Sequence, residues 1–307
     1  MYNNIPKIKK VKPFLQWIRS KRQLIHTLEY YYPIELKNNK IKYYYEPFLG
    51  GGSVFFDIVQ KYNIEHAYLY DINDDLILTY KVIQSDVFKL IDFITLFKNT
   101  YIKCNQYERT QLFEQLKKDF NNNRNDIDYS NYSYQWISRA AQFIFLNQTS
   151  KYGFFRINKN GTYNDSNNIY NNPTIFSKSN LIKINALFKK VTFINGDYSN
   201  FLYDLKPNSF IYLDPPSISN KNSYDRTTYP KYQFNSNNHL KLYNTLNSLK
   251  KKYKFMLTTL DPKNFEPNNN FFINLYKNYN ITNILHHKYN CINNELIILI
   301  SNVFIIK

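Results

Sequence analysis

The chain has 307 residues, room for one large domain or two modest ones around a sizeable core. Lys and Arg number 40 against 23 Asp and Glu, a formal charge of +17 spread along the chain, which favours a polyanionic partner, nucleic acid first. No segment reaches the roughly 18 apolar residues of a membrane span and no signal-peptide pattern opens the chain, so a cytoplasmic or otherwise intracellular protein, not secreted and without a membrane partner, is expected. Cys104 and Cys291 lie far apart without ligand spacing, which supports neither a disulfide framework nor a metal site. The abundance of Asn, Lys, Ile, Tyr and Phe also follows from AT-rich coding, so part of the charge carries no functional information.

The first strand signal is IKYYYEPF, followed by LGGGS and then VFFDIVQKY, whose apolar spacing suits a helix. A second strand, HAYLYD, ends on Asp71 and leads into the long helical periodicity of residues 74–99. From Tyr101 to Tyr134 the composition turns polar and Asn-rich before WISRAAQFIFLNQT resumes a helical face. YGFFRINKNGTYN alternates around NKNG, where Asn and Gly accept the positive φ of a tight hairpin. KVTFINGDYSNF and SFIYLDPPS restore the strand pattern; helix HLKLYNTLNSLKKK and strand KFMLTT follow, and FFINLYKNY, ITNILHHKY and ELIILISN finish the sheet. The alternation predicts an α/β fold with a mainly parallel, doubly wound sheet, interrupted by an insert. Residues 1–73 and 177–307 form the main domain, and 74–176 form a mostly helical insert carrying the β-hairpin.

In such sheets ligands sit beyond the carboxyl ends of the strands, where the glycine loop, Asp71, Asp197 and Asp214 all fall. Gly50, Gly51 and Gly52 permit unusual φ and close approach of a ligand, and the helix amino end behind them favours an anionic group. An acid about 20 residues further on, Asp71, is placed to bind ribose hydroxyls. Together they point to an adenosine-containing cofactor, while the missing GxGxxG and P-loop lysine argue against dinucleotides and nucleoside triphosphates. In FIYLDPPSIS, Pro215 and Pro216 have no N–H, which leaves their carbonyls as acceptors beside the Asp214 carboxylate. That cluster suits a ligand amine, one hydrogen on the carboxylate and one on the Pro215 carbonyl, with the nitrogen lone pair turned toward an electrophile.

With PFLQWIRSKRQL, EPFLGGGS, Asp71-Ile72-Asn73, the hairpin segment, Gly196-Asp197-Tyr198, the DPPS box and ELIILISN in this order, the chain resembles the Dam-type, D12-class family of DNA adenine methyltransferases from about Pro13 to Asn302. The resemblance implies a Rossmann-like fold and transfer of methyl from S-adenosylmethionine to the exocyclic amine of an adenine flipped out of double-stranded DNA. It places Trp17, Lys21, Glu46, Phe48, the Gly50–Gly52 loop, Asp71, Ile72, Asp197 and Tyr198 at the cofactor. Within that group Asp71 takes the ribose hydroxyls and Asp197 the adenine. Asp214, Pro215, Pro216 and Ser217 form the catalytic box, and Lys151, Tyr152, Arg156, Asn158 and Lys159 of the hairpin meet the nucleic acid, Arg156 as the candidate for reading a guanine.

Three departures accompany the match. Ser217 stands where the family carries a tyrosine whose ring stacks on the flipped base, a contact worth about 1–3 kcal/mol, and Tyr224, Tyr229 or Tyr232 are the candidates to replace it. Arg19 and Ser20 stand where glycines are usual before the lysine. Lys151 and Tyr152 differ from the usual hairpin residues, so no recognition sequence is carried over. The retained Asp71, Asp197 and Asp214 favour an active adenine transferase; Ser217 and Ile18-Arg19-Ser20 leave open a nucleic-acid-binding relative with a drifted site, and RNA is the alternative substrate.

Overall fold

A computed structural model of the chain describes residues 10–18, 20–151, 158, 161–167, 174–218, 234–286 and 295–303. In chain order the elements are α1 (Ile25–Tyr30), α2 (Ile34–Lys37), β1 (Tyr43–Glu46), α3 (Ser53–Lys61), β2 (His66–Asp71), α4 (Asp74–Lys103), α5 (Gln106–Asn122) and α6 (Gln135–Thr149). They continue as α7 (Lys178–Leu187), β3 (Val191–Asn195), β4 (Ser209–Leu213), α8 (Ser236–Leu249), β5 (Lys254–Leu260), α9 (Phe271–Leu275), β6 (Asn280–His286) and β7 (Glu295–Ser301).

The strands form one sheet in the order β3-β2-β1-β4-β5-β7-β6, with β3 through β5 all parallel and β7 antiparallel to both of its neighbours. Successive strand residues point to opposite faces, and the sequence is apolar on both. Tyr44, Leu69, Phe210, Tyr212 and Met256 pack into one core with α3, α4 and α6, while Tyr45, Tyr70, Ile211, Leu213 and Leu257 pack into a second with α8 and α9. The mainly parallel, doubly wound sheet expected from the sequence is therefore present. FFINLYKNY departs from expectation: Phe271–Leu275 is a short helix whose Phe272 and Tyr276 enter the second core, and the sheet is finished by β6 and β7 alone.

Between β2 and β3 the chain runs through α4, α5, α6 and α7. Residues of α5 and α6, such as Phe113, Phe120 and Phe143, belong to the same buried cluster as one face of the sheet. A buried ion pair fixes this region: Arg139 Nε donates to Asp75 Oδ1 at 2.7 Å, its guanidinium stacks 3.6 Å from the Phe120 ring centre, and the Tyr129 hydroxyl adds a bond to Asp75 at 2.8 Å. Breaking such a pair by removing one partner leaves an uncompensated buried charge. Helix α4 is interrupted at Asp86 (φ −135°, ψ 44°), whose carboxylate accepts from the Tyr132 hydroxyl at 2.5 Å.

Candidate active site

β1 and β4 are adjacent, but the chain leaves β1 toward β2 and β3 and leaves β4 toward β5, so the strand order reverses between them. The crevice beyond their carboxyl ends is where open parallel sheets bind ligands. A cavity of about 320 Å³ opens there, within the range of small-molecule sites. Every residue expected at the cofactor or in the catalytic box lines it, including Asp71, Asp197 and Asp214 from three different strand ends.

The glycine loop is built around backbone donors. Gly50 and Gly52 have φ of +48° and +65°, conformations that residues with a β-carbon resist, and Gly52 turns the chain into α3. Trp17 lies over the loop: a β-carbon on Gly50 would stand 2.5 Å from its Nε1, and one on Gly51 2.9 Å from its Cβ. The Asp71 carboxylate accepts the Gly50 N–H at 2.9 Å on Oδ2 and the Asn73 N–H at 2.9 Å on Oδ1. Burial pushes Asp71 up to about 6, against the lowering effect of these N–H bonds. Glu46 is buried beside it and accepts from the Tyr44 hydroxyl at 2.7 Å. Burial drives its carboxyl well above the usual range, and the nearby Asp214 and Asp71 add to the effect. At the opposite lip, Asp197 is exposed and accepts from Ser199 N–H at 2.9 Å, and the Tyr198 ring stacks on Phe48 with centroids 5.1 Å apart.

The Asp214 loop has few donors of its own. Lys21 Nζ donates to both Asp214 oxygens at 2.6 Å, so the lysine expected at the cofactor faces the Asp214 carboxylate. Thr258 Oγ1, from β5, donates to Asp214 Oδ1 at 3.1 Å, and the Tyr212 hydroxyl lies 2.7 Å from Thr258 Oγ1. Because the single Thr258 hydroxyl proton goes to Asp214, Tyr212 must be the donor in the second bond, which gives the chain Tyr212 to Thr258 to Asp214 a direction. Two residues later, His239 Nε2 lies 3.2 Å from the Pro216 carbonyl. A carbonyl only accepts, so the proton sits on Nε2, and Nδ1 is buried with no partner among the described residues. Burial pushes His239 down to about 4, so the ring is neutral at ordinary pH.

Thr258, Tyr212 and His239 carry no motif and were invisible in the sequence, as was Phe234, whose ring packs edge-on against Phe48 and His239 and lines the same cavity as Ser217. Ser20, at one of the departures, bonds Ser53 at the start of α3 (Oγ to Oγ 2.7 Å) and so ties the Lys21 segment to the glycine loop. Arg19, Tyr224, Tyr229 and Tyr232 lie outside the described residues.

Of the hairpin, the base and the two ends of the turn, Asn158 and Gly161, are described. Ser150 and Asn167 form an antiparallel bridge, and Lys151 N–H donates to Ser166 O at 2.7 Å. Asn158 closes the turn by accepting the Thr162 N–H on its side chain at 3.0 Å, with Gly161 at φ +77°. Tyr152, Arg156 and Lys159 lie outside the described residues. The returning arm is held to α5, where the Asn121 side chain bonds both the N–H and the carbonyl of Tyr163 at 2.7 and 3.0 Å. Cys104 is an unpaired thiol, and no cluster able to hold a metal occurs among the described residues. Nor is any described helix long and apolar enough to cross a membrane.

The family model for D12 class N6 adenine-specific DNA methyltransferases matches residues 17–290. The chain belongs to this D12 class. A relative from Methanocaldococcus jannaschii, the type II methyltransferase M.MjaIII, is 36% identical over 90% of this chain and 91% of its own length. The type II methyltransferase M1.LlaDCHI of Lactococcus lactis is 24% identical over 89% and 87%. The DNA adenine methylase of Vibrio cholerae is 26% identical over 72% and 71%. The D12 match begins at Trp17, so it takes in the ring that covers the glycine loop and the lysine that meets Asp214.

Proposed function

We propose that the chain transfers a methyl group from S-adenosylmethionine to the exocyclic amine of an adenine extruded from double-stranded DNA. When bound, this cofactor supplies an electrophilic methyl group carried on a sulfonium. The residues lining the cavity fit it: carboxylates at Asp71 and Asp197 for ribose and adenine, the α3 amino end behind Gly50–Gly52 for the carboxylate of its methionine part, and the Phe48–Tyr198 pair as an apolar face.

The observation that carries the reading is the bonding state of Asp214. A carboxylate has about four lone-pair positions. Among the described residues, Oδ1 accepts from Lys21 and Thr258, and Oδ2 from Lys21 alone, so one position on Oδ2 is left over in a residue that lines the cavity. The target amine places one hydrogen there and the second on the Pro215 carbonyl. That pose turns the nitrogen lone pair out of the base plane, and the loop supplies orientation and charge without a covalent intermediate. Lys21 is a positioning residue in this scheme, holding the carboxylate at the angle the amine requires.

The insert, residues 74–176, serves as the DNA-recognition region. Its hairpin presents Lys151 and Asn158, together with Tyr152, Arg156 and Lys159, to the nucleic acid. Since an amine paired inside a duplex is out of reach, the base leaves the stack before transfer.

Incubation with methyl-labelled S-adenosylmethionine tests the reading, using unmethylated duplex DNA, single-stranded DNA and RNA in parallel. Label on N6 of adenine in duplex DNA is expected. Label on RNA alone assigns the other substrate, and no label with any of them, together with no heat of cofactor binding, overturns the transferase reading.

A further inference from the structure

The residues that follow the parallel strands and those that precede them differ in net charge. At the carboxyl edge of the parallel strands stand Glu46, Asp71, Asp197, Asp214 and Asp261, every one an acid. At the amino edge stand lysines. Lys189 and Lys190 precede β3, Lys40 precedes β1, and Lys250, Lys251 and Lys252 form the turn into β5; all six are exposed. None of the six pairs with a described acid. The acids on this edge are already engaged: Glu65 by Lys42 at 3.0 Å, Glu35 by Lys254 at 3.0 Å, and Asp204 by Lys206.

Register aligns these positions. Val191 pairs with Ala67 and Tyr43 with both His66 and Ser209, while Phe210 pairs with Lys254, so the residues before each strand lie on one edge of the sheet. From β3 to β5 is four inter-strand steps, about 19 Å at roughly 4.8 Å each, the length of five or six base pairs. The edge lies about 15–20 Å from the carboxylates across strands of this length.

We infer that this lysine edge is a second DNA-binding surface, which holds a duplex segment by its phosphates on the side of the sheet away from the cavity. Its exposed cations among the described residues are lysines, and an ammonium meets a phosphate as a point charge, without the planar fork by which arginine reads bases. The contact is thus independent of sequence. AT-rich coding explains many lysines; it does not explain an excess of lysines without an acid partner at one edge of the sheet. The choice of duplex DNA as occupant rests on the transferase reading, but the test below reads binding and not turnover.

A labelled duplex of G·C pairs only, which offers no adenine to the cavity, is titrated onto the full chain at several salt concentrations. The variant carries Lys189→Gln, Lys190→Gln, Lys250→Gln, Lys251→Gln and Lys252→Gln. Its affinity at about 0.1 M salt is expected to fall at least tenfold, and the slope of log K against log salt to shrink by about 4.5, near 0.9 for each lost phosphate contact. Cofactor binding and the saturated transfer rate should stay as in the parent. Splitting the set into the 189–190 and 250–252 variants should divide the slope change roughly two to three, which keeps the test open if the fivefold variant fails to fold. An unchanged slope in either split variant overturns the proposal, as does binding of duplex RNA with none of duplex DNA. A parent that binds the G·C duplex through these lysines yet transfers no methyl sinks the transferase reading alone.

Discussion

Two loops face each other across the cavity, and they are held by opposite means. The loop after β1 carries its own donors: the Gly50 N–H reaches Asp71, and the turn closes on itself with Gly52 N–H bonding Leu49 O at 2.9 Å. The loop after β4 has two prolines in succession and so lacks two donors; it is held through its acceptors by Lys21, Thr258 and His239, residues from an amino-terminal segment, β5 and α8. A loop that supplies its own donors is fixed by local sequence. One that supplies only acceptors is fixed by wherever the rest of the chain sends a donor.

The largest way to sharpen that contrast is Asp214→Ala. It removes the acceptor on which Lys21 and Thr258 converge, and the transfer rate should drop by about 10²–10³-fold or more, the scale of losing one positioned electrostatic contact. Cofactor affinity measured by calorimetry should barely move, and a rate within threefold of the parent would show that the loop does not hold the amine. Gly50→Ala attacks the other loop. The new β-carbon meets Trp17 and imposes strain at φ +48°, a cost of about 1–3 kcal/mol. Cofactor affinity should therefore weaken roughly ten- to a hundredfold with the saturated rate nearly intact. If the two variants instead damage the same parameter, the loops do not divide cofactor from target.

Ser217→Tyr adds to the proline loop the ring that the family carries there. Base stacking of about 1–3 kcal/mol should tighten binding to target DNA about tenfold, read as a lower KM for DNA. No change would mean that another ring on the cavity wall, with Phe234 the described candidate, already fills that role. Thr258→Val keeps the shape of a side chain that is fully buried and deletes its hydrogen bond to Asp214 together with the one it accepts from Tyr212. A bond to a charged group is worth about 1.5–3 kcal/mol, so the transfer rate should fall about tenfold at unchanged cofactor KM, and Thr258→Ser should restore most of it.

How much of this was readable beforehand follows from the same contrast. The sheet was legible because its strands are short apolar runs ended by acids, and the glycine loop because three glycines in succession before a helix have few other uses. Asp214 and its prolines were legible as a cluster of acceptors. What they accept from was not: Thr258 reads as one more strand residue in KFMLTT, His239 as the start of a helix, and Lys21 as a cofactor contact. Pairings over 193, 44 and 23 residues of chain leave no local trace. Segment 271–279 failed for a different reason, since a short apolar run fits a buried helix as well as a strand and only the packing of Phe272 against His239 of α8 decides between them.

The smallest effect concerns pH, and it has two signs. Burial raises Asp71 from 3.8 to about 6, so between those values the folded chain keeps a proton that the unfolded chain has lost. Stability from this group is therefore greatest at low pH and falls as pH rises through that window. The glycine loop runs the other way, because only the ionised carboxylate offers both oxygens to the Gly50 and Asn73 N–H groups. Cofactor affinity should weaken severalfold as pH falls from about 7 to 5, over a range in which the stability contributed by Asp71 rises. Asp71→Asn should bind more weakly at every pH and with a flat profile, since an amide does not titrate and turns an N–H donor toward another donor. A parent whose affinity and stability fall together toward pH 5 would show that the loop is unfolding as a whole, and would remove the distinction between a loop held by its own donors and one held from outside.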